Sequence, residues 1–310
     1  MAKQGSIRDR LCSDLMLESE HIDEVLSSPA NHYKTFVSNG RKIDAPKLEL
    51  KYIQSWIYDF VRKETPKLPP FVTAYEPGSS IVSNAAAHCG NAHILALDIR
   101  HFFKSRAKDK VGSFFGGVHV GDTKIKLTPS DVSFLTRLST YKGSLPMGSP
   151  CSPSIANRIM LPVDKELIDA LGSGMTYTRY SDDICVSSRM YIDVSRTLEL
   201  VGSILVRNGF ALNEKKVRCM GRGDARRVTG VYLEPDGSLS IGSKRKRELN
   251  AKLYRFLLYG EGNTEEIRGL IHFARSVDPA YVTSVLLKYE NYGSAAVRGG
   301  VMGALANGGS

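Results

Sequence analysis

Apolar positions recur at helical spacing along much of the chain. In KLELKYIQSWIYDFVRKETP (47–66), Leu50, Ile53, Ile57 and Val61 share one face, with Trp56 and Phe60 beside it. Pro66 ends that helix. In SPSIANRIMLPVDKELIDAL (152–171), Ile155, Ile159, Val163 and Leu167 fall every fourth residue, which predicts a second helix bent at Pro162. YIDVSRTLELVGSILVRNGF (191–210) predicts a third, stopped near Gly209. Two stretches break this rhythm. HILALDIRHFF (93–103) reads as a buried strand with Asp98 near its end, and residues 175–188 read as strand, turn, strand, rich in Thr, Tyr, Ile and Val. After about residue 236 the pattern is helical again, with Leu249, Leu253, Phe256 and Leu257 on one face. Asn263 with Glu266 resembles a capping box, and Asp278–Pro279 is a cap followed by a first-turn proline. These elements predict an α+β fold with a central antiparallel sheet and a helical C-terminal part.

Composition narrows the class. The 310 residues are 42% hydrophobic, enough for a sizeable core, and the net charge of +10 favours a polyanionic partner, nucleic acid before membrane. Cys12, Cys89, Cys151, Cys185 and Cys219 are odd in number and lack metal-ligand spacing. This predicts a reducing compartment without disulfides or a zinc site. The start MAKQGSIRDR has no apolar signal core, and no apolar run reaches membrane-spanning length. The expectation is a cytoplasmic protein with no membrane partner.

Candidate chemistry centres on TRYSDDICV (178–186). Adjacent aspartates are ordinary in solvated turns. Here Asp182 and Asp183 sit between two strand-like runs, where two close negative charges need a cation or a basic partner. Asp98, at the end of its own buried strand, joins them if the strands are neighbours. Three carboxylates and a backbone carbonyl, with Ile99 the candidate, suit two Mg2+ ions.

LDIRHFF, LPMGSPCSPSIAN and YSDD occur in that order, and the set resembles a reverse transcriptase. YSDD is similar to the family's Tyr-x-Asp-Asp box and LPMGSPCSPSIAN to its Leu-Pro-Gln-Gly segment. NAAAH (84–88) and VTG (228–230) resemble the Asn-Ala-x-x-His and Val-Thr-Gly boxes of bacterial retron reverse transcriptases. The resemblance covers most of the chain, from about Arg41 onward. It implies a right-hand polymerase. An N-terminal helical extension spans 1–30 and fingers span 31–92, with a return segment at about 105–150. A palm spans 93–235, and a helical thumb with a Gly-rich tail, mobile or ordered on a partner, spans 236–310. The expected activity is RNA-directed DNA synthesis on a cognate structured noncoding RNA, which serves as primer and template. The expected product is a short single-stranded DNA linked to that RNA, and the setting is antiphage defence with an effector protein.

Residue roles follow from the same resemblance. Asp98 and Asp182 are the main metal ligands, with Asp183 assisting. Phe103 lies against the sugar of the incoming deoxynucleoside triphosphate, with Phe102 the alternative. Arg41, in RKIDAP, holds the triphosphate, and Met147 and Gly148 line the nucleotide pocket. Lys216, in NEKKV, protonates the leaving pyrophosphate, with Lys215 its rival. Asn84, His88, Val228, Thr229 and Gly230 contact RNA or order the surface that does. Arg226, Arg227, Lys244 and Arg245, with Arg222, Lys246 and Arg247, form a phosphate track. Three positions depart from the family pattern: Met147 for Gln, His101 for Asp and Ser181 for Ala. Two other readings stand beside this one. The first is a defence-associated reverse transcriptase with protein-primed or untemplated synthesis. The second is an RNA-holding scaffold with vestigial activity.

Overall fold

The amphipathic run at 47–66 forms a helix whose buried side chains, Leu50, Ile53, Ile57, Phe60 and Val61, follow the predicted stripe. Each buried side chain of this kind contributes about 1.5–3 kcal/mol. The computed structural model describes residues 6–38, 40–104, 107–121, 125–294 and 299–307. Along the chain come helices α1 (Ile7–Leu15) and α2 (Ser19–Ser27), then strands β1 (Tyr33–Ser38) and β2 (Arg41–Pro46), then α3 (Leu48–Glu64) and α4 (Ile81–Ala86). Strand β3 (His93–Asp98), α5 (Ala107–Gly116), the short strands β4 (His119–Val120) and β5 (Ile125–Lys126), α6 (Pro129–Ser139) and α7 (Ser152–Leu171) follow. Next are β6 (Thr176–Tyr180), β7 (Asp183–Ser188), α8 (Val194–Arg207) and β8 (Arg218–Met220). The chain continues through β9 (Arg227–Val228), β10 (Val231–Leu233), β11 (Leu239–Ser240), α9 (Ser243–Tyr259), α10 (Thr264–Val277) and α11 (Pro279–Tyr289). A final helix spans Gly300–Asn307.

The chain divides into two compact units. Met1–Ser79, Ala96–Ile184 and Asp193–Arg218 form the first; Ser80–Leu95, Cys185–Ile192 and Cys219–Ser310 form the second. In the first, β1 and β2 make an antiparallel hairpin with Tyr33 opposite Pro46 and Ser38 opposite Arg41. Helix α7 runs through Pro162 without interruption and keeps Ile155, Met160, Val163 and Leu167 buried. In the second, β11–β10–β9 form a small antiparallel sheet, beside helices that bury Leu249, Leu253, Phe256 and Leu257 from α9 and Ile267, Ile271 and Ala274 from α10. The Asn263 side chain accepts from the Glu266 N–H and the Asp278 side chain from the Tyr281 N–H, so both residues cap their helices; the expected box at Asn263 is only half formed, because the Glu266 carboxylate pairs with Lys252 instead. A four-stranded sheet has the order β6–β7–β3–β8, which makes the strands of the two carboxylate segments neighbours.

The C-terminal segment departs from the sequence expectation. Gly300–Asn307 is helical, with Val301, Ala304 and Leu305 buried, and Arg268 donates to the Leu305 carbonyl. Apolar side chains three and four residues apart outweigh a Gly-rich composition. Residues 298 and 308–310 of the expected tail, RGGVMGALANGGS, lie outside the described residues. All five cysteines are free thiols. Among the described residues no helix is long and apolar enough to cross a membrane.

Candidate active site

The carboxylate turn is two residues long. β6 ends at Tyr180 and β7 begins at Asp183, leaving Ser181 and Asp182 to reverse the chain. A reversal this tight needs a positive φ, and Ser181 takes it, at 59°. Ser181 is buried, Asp182 half-buried and Asp183 exposed. Just beyond β3, the Ile99 N–H donates to the Asp182 carbonyl over 2.8 Å. That bond places the end of the Asp98 strand against the turn. In extended backbone a residue's N–H and C=O leave by the same edge, so the Ile99 carbonyl faces the turn as well.

Asp98 is almost fully buried and well partnered. Its Oδ1 accepts from Asn213 Nδ2 at 2.8 Å, and its Oδ2 pairs with Lys216 Nζ at 2.5 Å. The Asn213 N–H also donates to the Asp98 carbonyl. Asp183 feels the opposite balance. Although its side chain reaches solvent, the protein mass beside it, then the charges of Asp182 and Asp98, push its carboxyl from 3.8 up to about 6, while Lys216 and Arg218 pull it down. The charges of Asp182 and Asp98 therefore reach Asp183. Among the described residues no three acidic, His or Cys side chains stand at metal-holding spacing, and the Lys216 ammonium is the cation at Asp98. The donor set, carboxylate oxygens beside a carbonyl edge, fits a hard divalent ion.

A second set of predicted residues lies on the segment after β3, the LPMG segment and β2, which touch through Phe103–Leu145 and Gly148–Ala45. Phe102 is buried and stacks on Phe210, while Phe103 is half-buried, its ring centroid 5.1 Å from that of Phe102. Of the two rings, Phe103 is the accessible one. Its carbonyl accepts from the Leu145 N–H, which joins it to the LPMG segment. Met147 is 40% exposed. Gly148 presses on β2, since a Cβ there lies 2.8 Å from the Ala45 Cα. Arg41 begins that strand and is exposed. His101 is exposed with a φ of 53°.

In the second unit, the two remaining boxes meet. Thr229 and Gly230, with φ of 45° and 86°, are the two-residue turn between β9 and β10, where Val228 faces Val231. Positive φ at both positions is the type I′ turn that suits a twisted hairpin. Asn84 Nδ2 donates to Thr229 Oγ1, which in turn donates to the Ile81 carbonyl. His88, in the turn just after α4, shares a 2.6 Å hydrogen bond with Ser187, and Asn91 also donates to Ser187. Arg226 donates to the Asn91 carbonyl and Arg245 to the Gly230 carbonyl. Asn84, His88 and Val228 are buried. Buried side chains present nothing to a ligand on the surface. Burial also lowers His88 to about 4, which keeps the ring neutral. Arg227 and Lys244 are exposed; Arg226, Arg245, Thr229 and Gly230 are half-buried.

Two groups escape a sequence reading. Asn213 holds Asp98 from a distant segment and carries no local pattern. Arg179 is fully buried, and its signal is an inward-facing charge in the alternation TYTRY, in phase with Tyr177.

The profile of the family described as "Reverse transcriptase (RNA-dependent DNA polymerase)" matches residues 33–233. The retron Ec86 reverse transcriptase of Escherichia coli is 34% identical over 242 residues, covering 77% of this chain and 72% of that protein. The retron Ec83 reverse transcriptase of Escherichia coli is 29% identical over 285 residues, 85% and 88% of the two chains. Among solved structures, a telomerase from Candida albicans is similar over 87% of this chain and 59% of that one, at 12% identity and a TM-score of 0.48.

Proposed function

The chain belongs to the reverse transcriptase family, as an RNA-directed DNA polymerase of the retron type with a right-hand polymerase fold, and on that premise we propose that it copies a cognate structured noncoding RNA that is both primer and template. The product is a short single-stranded DNA joined to that RNA, and the setting is antiphage defence beside an effector protein. Fingers occupy 31–92 with the return at about 105–150, the palm 93–235 and the thumb residues from 236.

Reverse transcriptases work with divalent metal ions; here we assign two Mg2+ ions to Asp98, Asp182, Asp183 and the Ile99 carbonyl. When bound, such ions activate the attacking hydroxyl and steady the leaving pyrophosphate. The chain's own groups do the rest. The paired carboxylates would hold the ions in one fixed place. Lys216, already beside Asp98, is the proton donor to the pyrophosphate. Phe103 closes the space a ribose 2′-hydroxyl needs, and Met147, Gly148 and Arg41 line the nucleotide side. Asn84, His88 and the Thr229–Gly230 turn fix the surface on which Arg226, Arg227, Lys244 and Arg245 meet phosphates.

The observation that carries this reading is the Ile99–Asp182 hydrogen bond, which sets the end of the Asp98 strand against the Asp182–Asp183 turn. The test is Asp182→Asn, which we expect to fold normally and to make no DNA; continued synthesis removes the metal role. Nucleic acid copurified from the native locus decides the template. An RNA joined to its complementary DNA agrees with the proposal, and DNA without a matching RNA refutes it.

A further inference from the structure

Arg179 is the largest side chain in the core with no exposure at all. Its guanidinium reaches three places at once. Nε and Nη2 grip both oxygens of Asp164 at 2.7 Å. Nη1 donates to Asn157 Oδ1 at 2.9 Å, and the same nitrogen donates to the Ser181 carbonyl at 3.1 Å. Phe102 lies over the group at 5.8 Å from its ring centroid. The Arg179 backbone is fixed too, donating to Phe71 and accepting from Thr73.

Asp164, with Tyr177 also donating to it, already answers the buried charge. The bond to Ser181 is additional, and its place is informative. Ser181 is the one residue of the carboxylate turn with a positive φ. That conformation is disfavoured for a residue with a side chain. The next two residues are Asp182 and Asp183. A rigid guanidinium fork can hold a helix and a turn in one geometry, where a flexible ammonium cannot.

We infer that Arg179 is a positioning residue for DNA synthesis: it carries the rigidity of α7, through Asn157 and Asp164, to the Ser181 carbonyl and so sets the turn that presents the metal-binding carboxylates. This rests on the assignment of those carboxylates made above.

The test is Mn2+ binding to the purified full chain, followed by the paramagnetic resonance of the free ion. Thermal melting and circular dichroism accompany it. Arg179→Lys keeps the charge beside Asp164 and loses the fork. We expect a folded protein that binds Mn2+ about tenfold more weakly, the usual size for loss of an outer-sphere partner. Ser181→Gly adopts the turn without strain, so Arg179→Lys should cost about threefold or less in that background. Unchanged Mn2+ binding in Arg179→Lys overturns the inference. So does an equal penalty in both backgrounds, which marks a global defect. If Arg179→Lys does not fold, Arg179→Gln with Asp164→Asn, which buries no charge, takes its place. Failure of both to fold assigns Arg179 to folding alone and also overturns it. Asp182→Asn separates the two readings. If it binds Mn2+ like the parent, the carboxylate assignment fails. If it binds weakly while Arg179→Lys binds normally, only the present inference fails.

Discussion

At the scale of single residues, most of the chemistry rests on groups whose neighbours are remote in sequence. Lys216 and Asp98 are 118 residues apart, and Asn84 and Thr229 are 145 apart. The types and order of the carboxylates were readable from LDIRHFF and YSDD; the ion pair and the buried state of Asn84 and His88 were not, because no local pattern encodes them. Phe103 illustrates the same division. The sequence narrowed the proposed sugar-facing ring to two, and only packing distinguishes buried Phe102 from half-buried Phe103. Phe103→Ala should therefore raise ribonucleotide incorporation, read as the ratio of kcat/KM for deoxy- and ribonucleotides. An unchanged ratio assigns Phe103 to the core. His88 gives a pH prediction. Its folded value is lowered from 6.5 to about 4. Between those values the unfolded chain takes up a proton that the folded chain does not, so stability falls as pH drops from about 6.5 to about 4. At about 1.4 kcal/mol per unit the loss is at most about 3.5 kcal/mol. Urea unfolding across that range should show it, and His88→Gln should flatten the slope.

At the scale of elements, helical periodicity and caps were the most legible features. The stripes of α3, α7 and α9 and the caps Asn263 and Asp278 need only local sequence. Turn conformation was less so. Nothing in YSDD demands that Ser181 take a left-handed φ, and VTG read as a box before it was a type I′ turn. The Gly-rich C-terminal run misled for a related reason, since composition says nothing about the burial of Val301 and Leu305. The Gly148 contact was also invisible, because it depends on β2 passing at van der Waals distance. Gly148→Ala should push the β1–β2 hairpin away, cost about 1–3 kcal/mol and raise KM for deoxynucleotides more than it lowers kcat. Steady-state kinetics with a melting curve separates the two effects, and an unmoved KM removes the hairpin from the nucleotide wall.

At the scale of the whole molecule, the charge of +10 makes RNA affinity a function of salt. Log affinity should fall linearly with log salt, most visibly between roughly 50 and 200 mM. Arg227→Ala and Lys244→Ala should each lower that slope by about one; an unchanged slope places the phosphate track elsewhere. The path of the backbone has a separate consequence. Strand β3 begins in the second unit and ends in the first, and the last segment of the first unit closes only at Arg218. A ribosome emits the chain from its N-terminus, so the first unit lacks its final segment until Arg218 has been translated. Neither half can be excised by a single cut or expressed as a contiguous fragment. Nascent chains of this enzyme should stay protease-sensitive late into synthesis, and a stop codon placed before Arg218 should yield no folded remnant.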